Sequence, residues 1–285
     1  MSLELNEDAS GDPGNAGFMA LASDFAYLPA DQGLPKYKDE LGLDAKLVSV
    51  DNTQAYVCTN ANHIVVAFRG TEDPTSIDGL KDWLLTDAVN LLIVPEGRLG
   101  TDFAAAGVGA KFHQGFIGAL AEIWDPLFAA VESEVKKQDR PLWITGHSLG
   151  GALALLSAWL FQRKFVNVHQ VITFGAPMIG NTVAKEAFDK ELKGKVFRYC
   201  NEIDPVPMLP TVSLLANDFA HCDRRMGLTE TAGNAIEMFK ALASKAAGGI
   251  LSGHVVDEVW GEVKTRLSAH FIPSYHELVN KLGHK

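Results

Sequence analysis

The chain has 285 residues, 47% of them hydrophobic, and a formal net charge of −10 at pH 7. That length and apolar content suffice for one large α/β domain with its own core, needing neither disulfides nor metals to hold it. The acidic balance argues against nucleic acid as a partner, because such binding is dominated by cationic contacts to phosphate, and it offers no general attraction to an anionic membrane.

The three cysteines, Cys58, Cys200 and Cys222, show no CxxC spacing and form neither a disulfide framework nor a zinc site. Free buried thiols are expected, in preference to a Cys200–Cys222 bridge. The start of the chain, Met1 to Asp8, is acidic and lacks the cationic start and apolar core of a signal peptide. Localisation therefore stays open: secreted if the chain is a trimmed mature form, cytoplasmic otherwise. The longest apolar run, Gly150 to Phe161, is too short to span a bilayer and is interrupted by Ser157, so no transmembrane segment is expected.

Residues 1–15 are polar and rich in Gly and Pro, and are expected to be a flexible leader ahead of a single domain over 16–285. From Asn15 to Leu28 the apolar residues Phe18, Leu21, Ala22, Phe25 and Leu28 recur at helical spacing. Strand-like runs follow at Leu47–Val50, Ala55–Thr59 and His63–Phe68, the first two joined by the turn chemistry of Asp51-Asn52-Thr53-Gln54. Beyond residue 110 strands alternate with helix-length segments. Helices are expected over Gly115–Lys137, Leu149–Lys164 and Asn181–Leu192, and strands over Leu142–Thr145, Val168–Phe174 and Lys195–Cys200. This alternation predicts an α/β fold with a mostly parallel sheet covered on both faces. Further helices are expected at Thr229–Ala247, Val255–Leu267 and near Tyr275–Leu282.

Gly146-His147-Ser148-Leu149-Gly150 is a G-x-S-x-G pentapeptide lying between an apolar strand and an apolar helix. The pattern alone is weak, but that strand–turn–helix context is what a nucleophile elbow requires. Flanking glycines remove β-carbons that would collide with strand and helix, and the helix start aims free N–H groups and a positive dipole end at the serine. A serine nucleophile needs a base and an orienting acid, which follow it in the order acid, then histidine, in α/β-hydrolases. The expected strand ending at Cys200 runs into Asn201-Glu202-Ile203-Asp204-Pro205, at the strand end where ligand chemistry collects in open sheets. Asp204, held extended by the following proline, is the candidate acid, with Glu202 as its rival. Five histidines come later (His221, His254, His270, His276 and His284), and spacing alone does not choose between His270 and His276.

In these motifs the chain resembles class 3 (fungal-type) triacylglycerol lipases, within the α/β-hydrolase superfamily. The resemblance runs from Ala20–Tyr27 through Val65-Val-Ala-Phe-Arg-Gly-Thr71, Asp82-Trp83 with Asp87, and Phe112-His-Gln-Gly-Phe116. It continues with Gly146-His-Ser-Leu-Gly-Gly-Ala152, Thr173-Phe-Gly-Ala-Pro177 with Gly180-Asn181, and Asn201 to Pro207. It implies an ester hydrolase acting through an acyl-enzyme, with Ser148 as nucleophile, Asp204 as acid and His270 as base. The family's histidine stands five residues before a tyrosine, as His270 does before Tyr275, although Ala269 replaces the usual acidic residue ahead of it. The oxyanion hole would be the backbone N–H groups of Leu149 and Thr71, and His113 and His147 are read as structural.

The family's lid position corresponds to Glu72–Trp83. There Ile77, Leu80, Trp83 and Leu84 would share one helical face, covering the site in water and turning toward lipid at an oil–water interface. No metal or organic cofactor is implied, and the partner is a lipid ester substrate. The same scaffold also suits a phospholipase A1, a feruloyl-type or short-chain esterase, or an acyltransferase; outside the enzymes, it suits a catalytically silent lipid-binding module.

Overall fold

The computed structural model describes residues 4–71, 92–208, 219–229 and 265–283. Helix α1 (Pro13–Phe25) begins inside the segment expected as a leader. Asp12 caps it, accepting the N–H groups of Gly14 and Asn15 at 2.8 and 3.2 Å, while Pro13 occupies a first-turn position that has no hydrogen bond to lose. The buried Asn15 side chain ties residues 6–9 to the helix: it accepts from the Asn6 N–H at 2.7 Å and donates to the carbonyls of Asn6 and Ala9. Leu5 joins the core behind them. Helix α2 (Ala30–Leu41), unexpected from sequence because Pro35 lies inside it, buries Tyr37 and Leu41 and ends at Gly42 in the left-handed conformation.

A central sheet takes the strand order β1-β2-β3-β6-β7-β9-β11. Its first three strands, β1 (Asp44–Val50), β2 (Thr53–Thr59) and β3 (Ile64–Phe68), run antiparallel. The pairing of Val50 with Thr53 leaves Asp51-Asn52 as a two-residue turn, with Asp51 at φ 47°. From β3 onward, β6 (Leu142–His147), β7 (Val168–Phe174), β9 (Val196–Cys200) and β11 (Arg224–Gly227) are parallel. A second small sheet, of order β10-β8-β5-β4, is built from the two-residue strands β4 (Leu92–Ile93), β5 (Phe112–His113), β8 (Gly180–Asn181) and β10 (Phe219–Ala220).

Strand periodicity divides the core into two layers. On β3, Val66 and Phe68 face the layer under helices α4 (Gln114–Lys137) and α5 (Leu149–Arg163), with α3 (Gly100–Ala104) and α6 (Thr182–Glu191) beside them. Val65 and Ala67 face the layer under α1 and α7 (Ile272–Leu282). Covering on both faces makes the inner parallel strands β3, β6 and β7 apolar along most of their length, which is why they were legible as continuous runs. Helix α4 continues through Pro126. The interior proline costs about 3 kcal/mol, and the neighbouring Ile123, Trp124, Leu127 and Val131 each recover roughly 1.5–3 kcal/mol by burial, so the helix holds. All three cysteines are free and buried. Among the described residues no helix is long and apolar enough to cross a membrane. The helices expected at Thr229–Ala247 and Val255–Leu267 fall almost wholly outside the described residues.

His113 caps α4, its Nδ1 accepting the Phe116 N–H at 3.3 Å, with the two rings stacked 3.8 Å apart. Burial lowers its pKa to about 3, so the ring is folded in its neutral form. The folded state therefore binds fewer protons than the unfolded one as pH drops below about 6.5, and stability declines from there toward pH 3. Between pH 7 and pH 4 this ring is expected to cost roughly 3 kcal/mol. His113→Asn keeps a capping acceptor and removes the titration. Urea midpoints measured at both pH values should fall less for the variant than for the parent; equal falls would refute the assignment.

Candidate active site

Strands β6 and β9 deliver their C-terminal residues to the same edge of the sheet. Ser148 follows β6 directly, at φ 57°, ψ −127°, a strained backbone for a residue with a β-carbon. Its N–H is held by the Phe174 carbonyl at 2.9 Å, and its own carbonyl takes the N–H groups of Gly151 and Ala152. The glycines on either side are a condition of this crossing. A β-carbon on Gly146 would stand 2.2 Å from the Gly150 carbonyl oxygen, and one on Gly150 would stand 2.4 Å from that of Phe68. Leu149 opens α5, where the first N–H groups have no intrahelical acceptor and the dipole is positive.

Asp204 lies just past β9 and is almost fully buried. Its Oδ1 accepts the Val206 N–H at 2.8 Å. Its Oδ2 accepts two donors: His270 Nδ1 at 2.8 Å and the Tyr275 hydroxyl at 2.5 Å. Burial, then the Asp204 charge, push the Tyr275 hydroxyl well above its ordinary pKa, so it keeps the hydrogen it donates. Tyr275 also receives the Asn201 N–H at 3.2 Å. In the neutral ring, Nδ1 of His270 donating to the carboxylate leaves the lone pair on Nε2. That Nε2 is buried with no hydrogen-bond partner among the described residues. Gly175, at φ 59°, leaves the space beside this pair: a β-carbon there would lie 3.0 Å from Asp204 Oδ2 and 3.1 Å from His270 Nδ1.

The rival carboxylate is engaged elsewhere, since Glu202 is ion-paired with Arg225. His276 sits on α7 and meets Asn280 at 3.2 Å, and His221 Nε2 donates to the Pro207 carbonyl. Thr71 follows β3, and its hydroxyl oxygen is buried without a hydrogen-bond partner among the described residues. Ile77, Leu80, Trp83 and Leu84, expected as a lid, lie outside the described residues, as do Asp82 and Asp87. Tyr275 served in the sequence only as a spacing marker; its hydroxyl on Asp204 is a contact across 71 residues that no local pattern announces.

A family model described as Lipase (class 3) matches residues 65–214, 150 of the chain's 285. A secreted mono- and diacylglycerol lipase 3 of Gibberella zeae is 33% identical over 123 residues, 42% of this chain and 37% of that protein. The chloroplastic phospholipase A(1) DAD1 of Arabidopsis thaliana is 30% identical over 160 residues, 53% of this chain and 34% of that protein. The matched part of the chain thus spans about a third of the length of these relatives. Among solved structures, the Rhizomucor miehei lipase in its propeptide complex superposes with a TM-score of 0.55 at 25% identity, covering 76% of this chain and 68% of the other.

Proposed function

Because the chain belongs to the class 3 lipase family, we propose that it hydrolyses carboxylic esters of lipids through an acyl-enzyme on Ser148. One observation carries this reading: a buried His270, hydrogen-bonded through Nδ1 to Asp204, with its Nε2 unpartnered among the described residues and its ring 4.6 Å from that of His147, the residue before the strained Ser148 turn. Ser148 Oγ attacks the ester carbonyl as His270 Nε2 takes its proton. The oxyanion that forms is met by the N–H groups of Leu149 and Thr71, each such donor being worth about 100- to 1000-fold in rate. His270 then returns the proton to the leaving alcohol. A water, deprotonated by the same nitrogen, releases the fatty acid and regenerates Ser148. The Asp204 carboxylate orients His270 and stabilises the imidazolium formed in both halves.

The relatives' names give mono- and diacylglycerols, and the substrate class we propose is acylglycerols, triacylglycerol among them, in the form of emulsified long-chain esters. A phospholipase A1 reading is supported by the likeness to the Arabidopsis enzyme. The test is a panel of p-nitrophenyl esters of increasing chain length with emulsified acylglycerols and phosphatidylcholine, using Ser148→Ala as the blank. We expect the highest rate on long-chain acylglycerols. Preference for phosphatidylcholine would select the phospholipase reading, and a maximum on the shortest esters a small-ester hydrolase. Rates no higher than the blank on every substrate would refute the assignment.

A further inference from the structure

A polar chain, half-buried at Tyr27 and buried beyond it, runs from beside the loop before Thr71 to the backbone of His270 without passing through Ser148 or Asp204. It starts at Tyr27, just past α1. The carbonyls on either side of this residue are gripped by β2: Gln54 donates to those of Ala26 and Leu28 at 3.0 and 3.2 Å, and the Tyr56 hydroxyl donates to that of Leu28 at 2.8 Å. The Tyr27 hydroxyl lies 2.8 Å from His147 Nδ1, and His147 Nε2 lies 2.6 Å from the His270 carbonyl oxygen.

Chemistry sets the direction of these bonds. A carbonyl only accepts, so His147 Nε2 carries the hydrogen. Burial, reinforced by the neighbouring His270, holds the His147 pKa well below its ordinary value, so the ring is neutral and Nδ1 has a lone pair. Tyr27 must therefore donate to it, and burial keeps the tyrosine hydroxyl protonated. Gly70 packs against the oxygen of Tyr27, so close that a β-carbon on Gly70 would come within 2.1 Å of that oxygen. The donors run one way, Tyr27 to His147 and His147 to the His270 carbonyl. The His147 ring also lies against that of His270, with centroids 4.6 Å apart and planes inclined at 36°.

We propose that Tyr27 and His147 are positioning residues, forming a directed hydrogen-bond chain, packed against the oxyanion loop at Gly70, that fixes the base relative to that loop. The proposal rests on the acyl-enzyme reading above and adds to it residues that touch neither substrate nor reacting atoms.

Tyr27→Phe removes one oxygen and leaves the ring. Small misplacements of catalytic groups cost up to about 100-fold, so kcat should fall roughly 10- to 100-fold while KM for a dissolved ester stays within about threefold. A double variant with His147→Gln should lose no more than the worse single variant, because residues acting as a unit are not additive. Nitrogen-15 spectra of the parent protein at neutral pH should show His147 with a bare Nδ1 and a protonated Nε2, a pattern weakened in Tyr27→Phe. An unchanged kcat in Tyr27→Phe, additive losses in the double variant, or the opposite tautomer at His147 would each overturn the relay. A parent protein no faster than Ser148→Ala would instead bring down the acyl-enzyme reading, and the relay with it, while leaving the His147 tautomer as described.

Discussion

Replacing Ser148 by glycine is expected to abolish ester hydrolysis and, in the same variant, to raise stability. Loss of the nucleophile from such a triad costs on the order of a million-fold in kcat. The stability effect comes from the backbone. At φ 57°, ψ −127° a β-carbon is strained by about 1–3 kcal/mol, whereas glycine visits this region freely. Against that gain, glycine adds about 0.4–1 kcal/mol of unfolded-state entropy. The net is about 1 kcal/mol in favour of the folded variant, or roughly 2–4 °C in Tm for a domain of this size class. Ser148→Ala is the matched control, because it loses the same activity but retains the β-carbon and hence the strain. Calorimetry of the three proteins decides. A glycine variant that melts no higher than the alanine variant would mean that the turn stores no strain, and that the geometry at Ser148 is held at no energetic cost.

The close crossing also explains why the turn at Ser148 was legible in the sequence when much around it was not. Gly146 and Gly150 are required wherever a helix crosses two strands this closely, so a backbone constraint is written as residue identity. The buried parallel strands were legible for the same reason, through apolar runs dictated by cover on both faces. Helix α2 was hidden by Pro35, whose missing donor is tolerated because tertiary burial of Tyr37 and Leu41 overrides local propensity. Strand β11 is largely exposed along Arg224–Gly227 and carries no alternation, so only its pairing with β9 defines it. The four two-residue strands of the second sheet are too short to imprint any period. His270 and His276 flank similar apolar helical residues, and what separates them is the contact of one with Asp204, 66 positions away. Tyr27, 120 positions from His147, belongs to the same class of information. Short-range chemistry shows in local pattern, whereas the orientation of a base or a relay resides in contacts between distant segments.

Those contacts make Asp204→Asn the second large effect, expected to lower kcat by about ten-thousand-fold with little change in the fold. The carboxylate is surrounded by donors: the Val206 N–H on Oδ1, and His270 Nδ1 and the Tyr275 hydroxyl on Oδ2. An asparagine must point its amide nitrogen at one side or the other. Turned toward Val206, the amide opposes an N–H with an N–H and leaves buried donors unsatisfied, at about 1–3 kcal/mol. Turned toward His270, it donates to Nδ1 and drives the proton to Nε2, the nitrogen that must be bare to accept from Ser148. Tyr275→Phe separates orientation from charge. It removes one donor while Asp204 still holds His270 through Nδ1, so its kcat should stay far above that of Asp204→Asn. The measurement is kcat and the pH profile of p-nitrophenyl ester hydrolysis for both variants. If Asp204→Asn kept kcat within about tenfold of the parent, Asp204 would not be setting the tautomer of the base, since that role alone carries a loss of several thousand-fold or more.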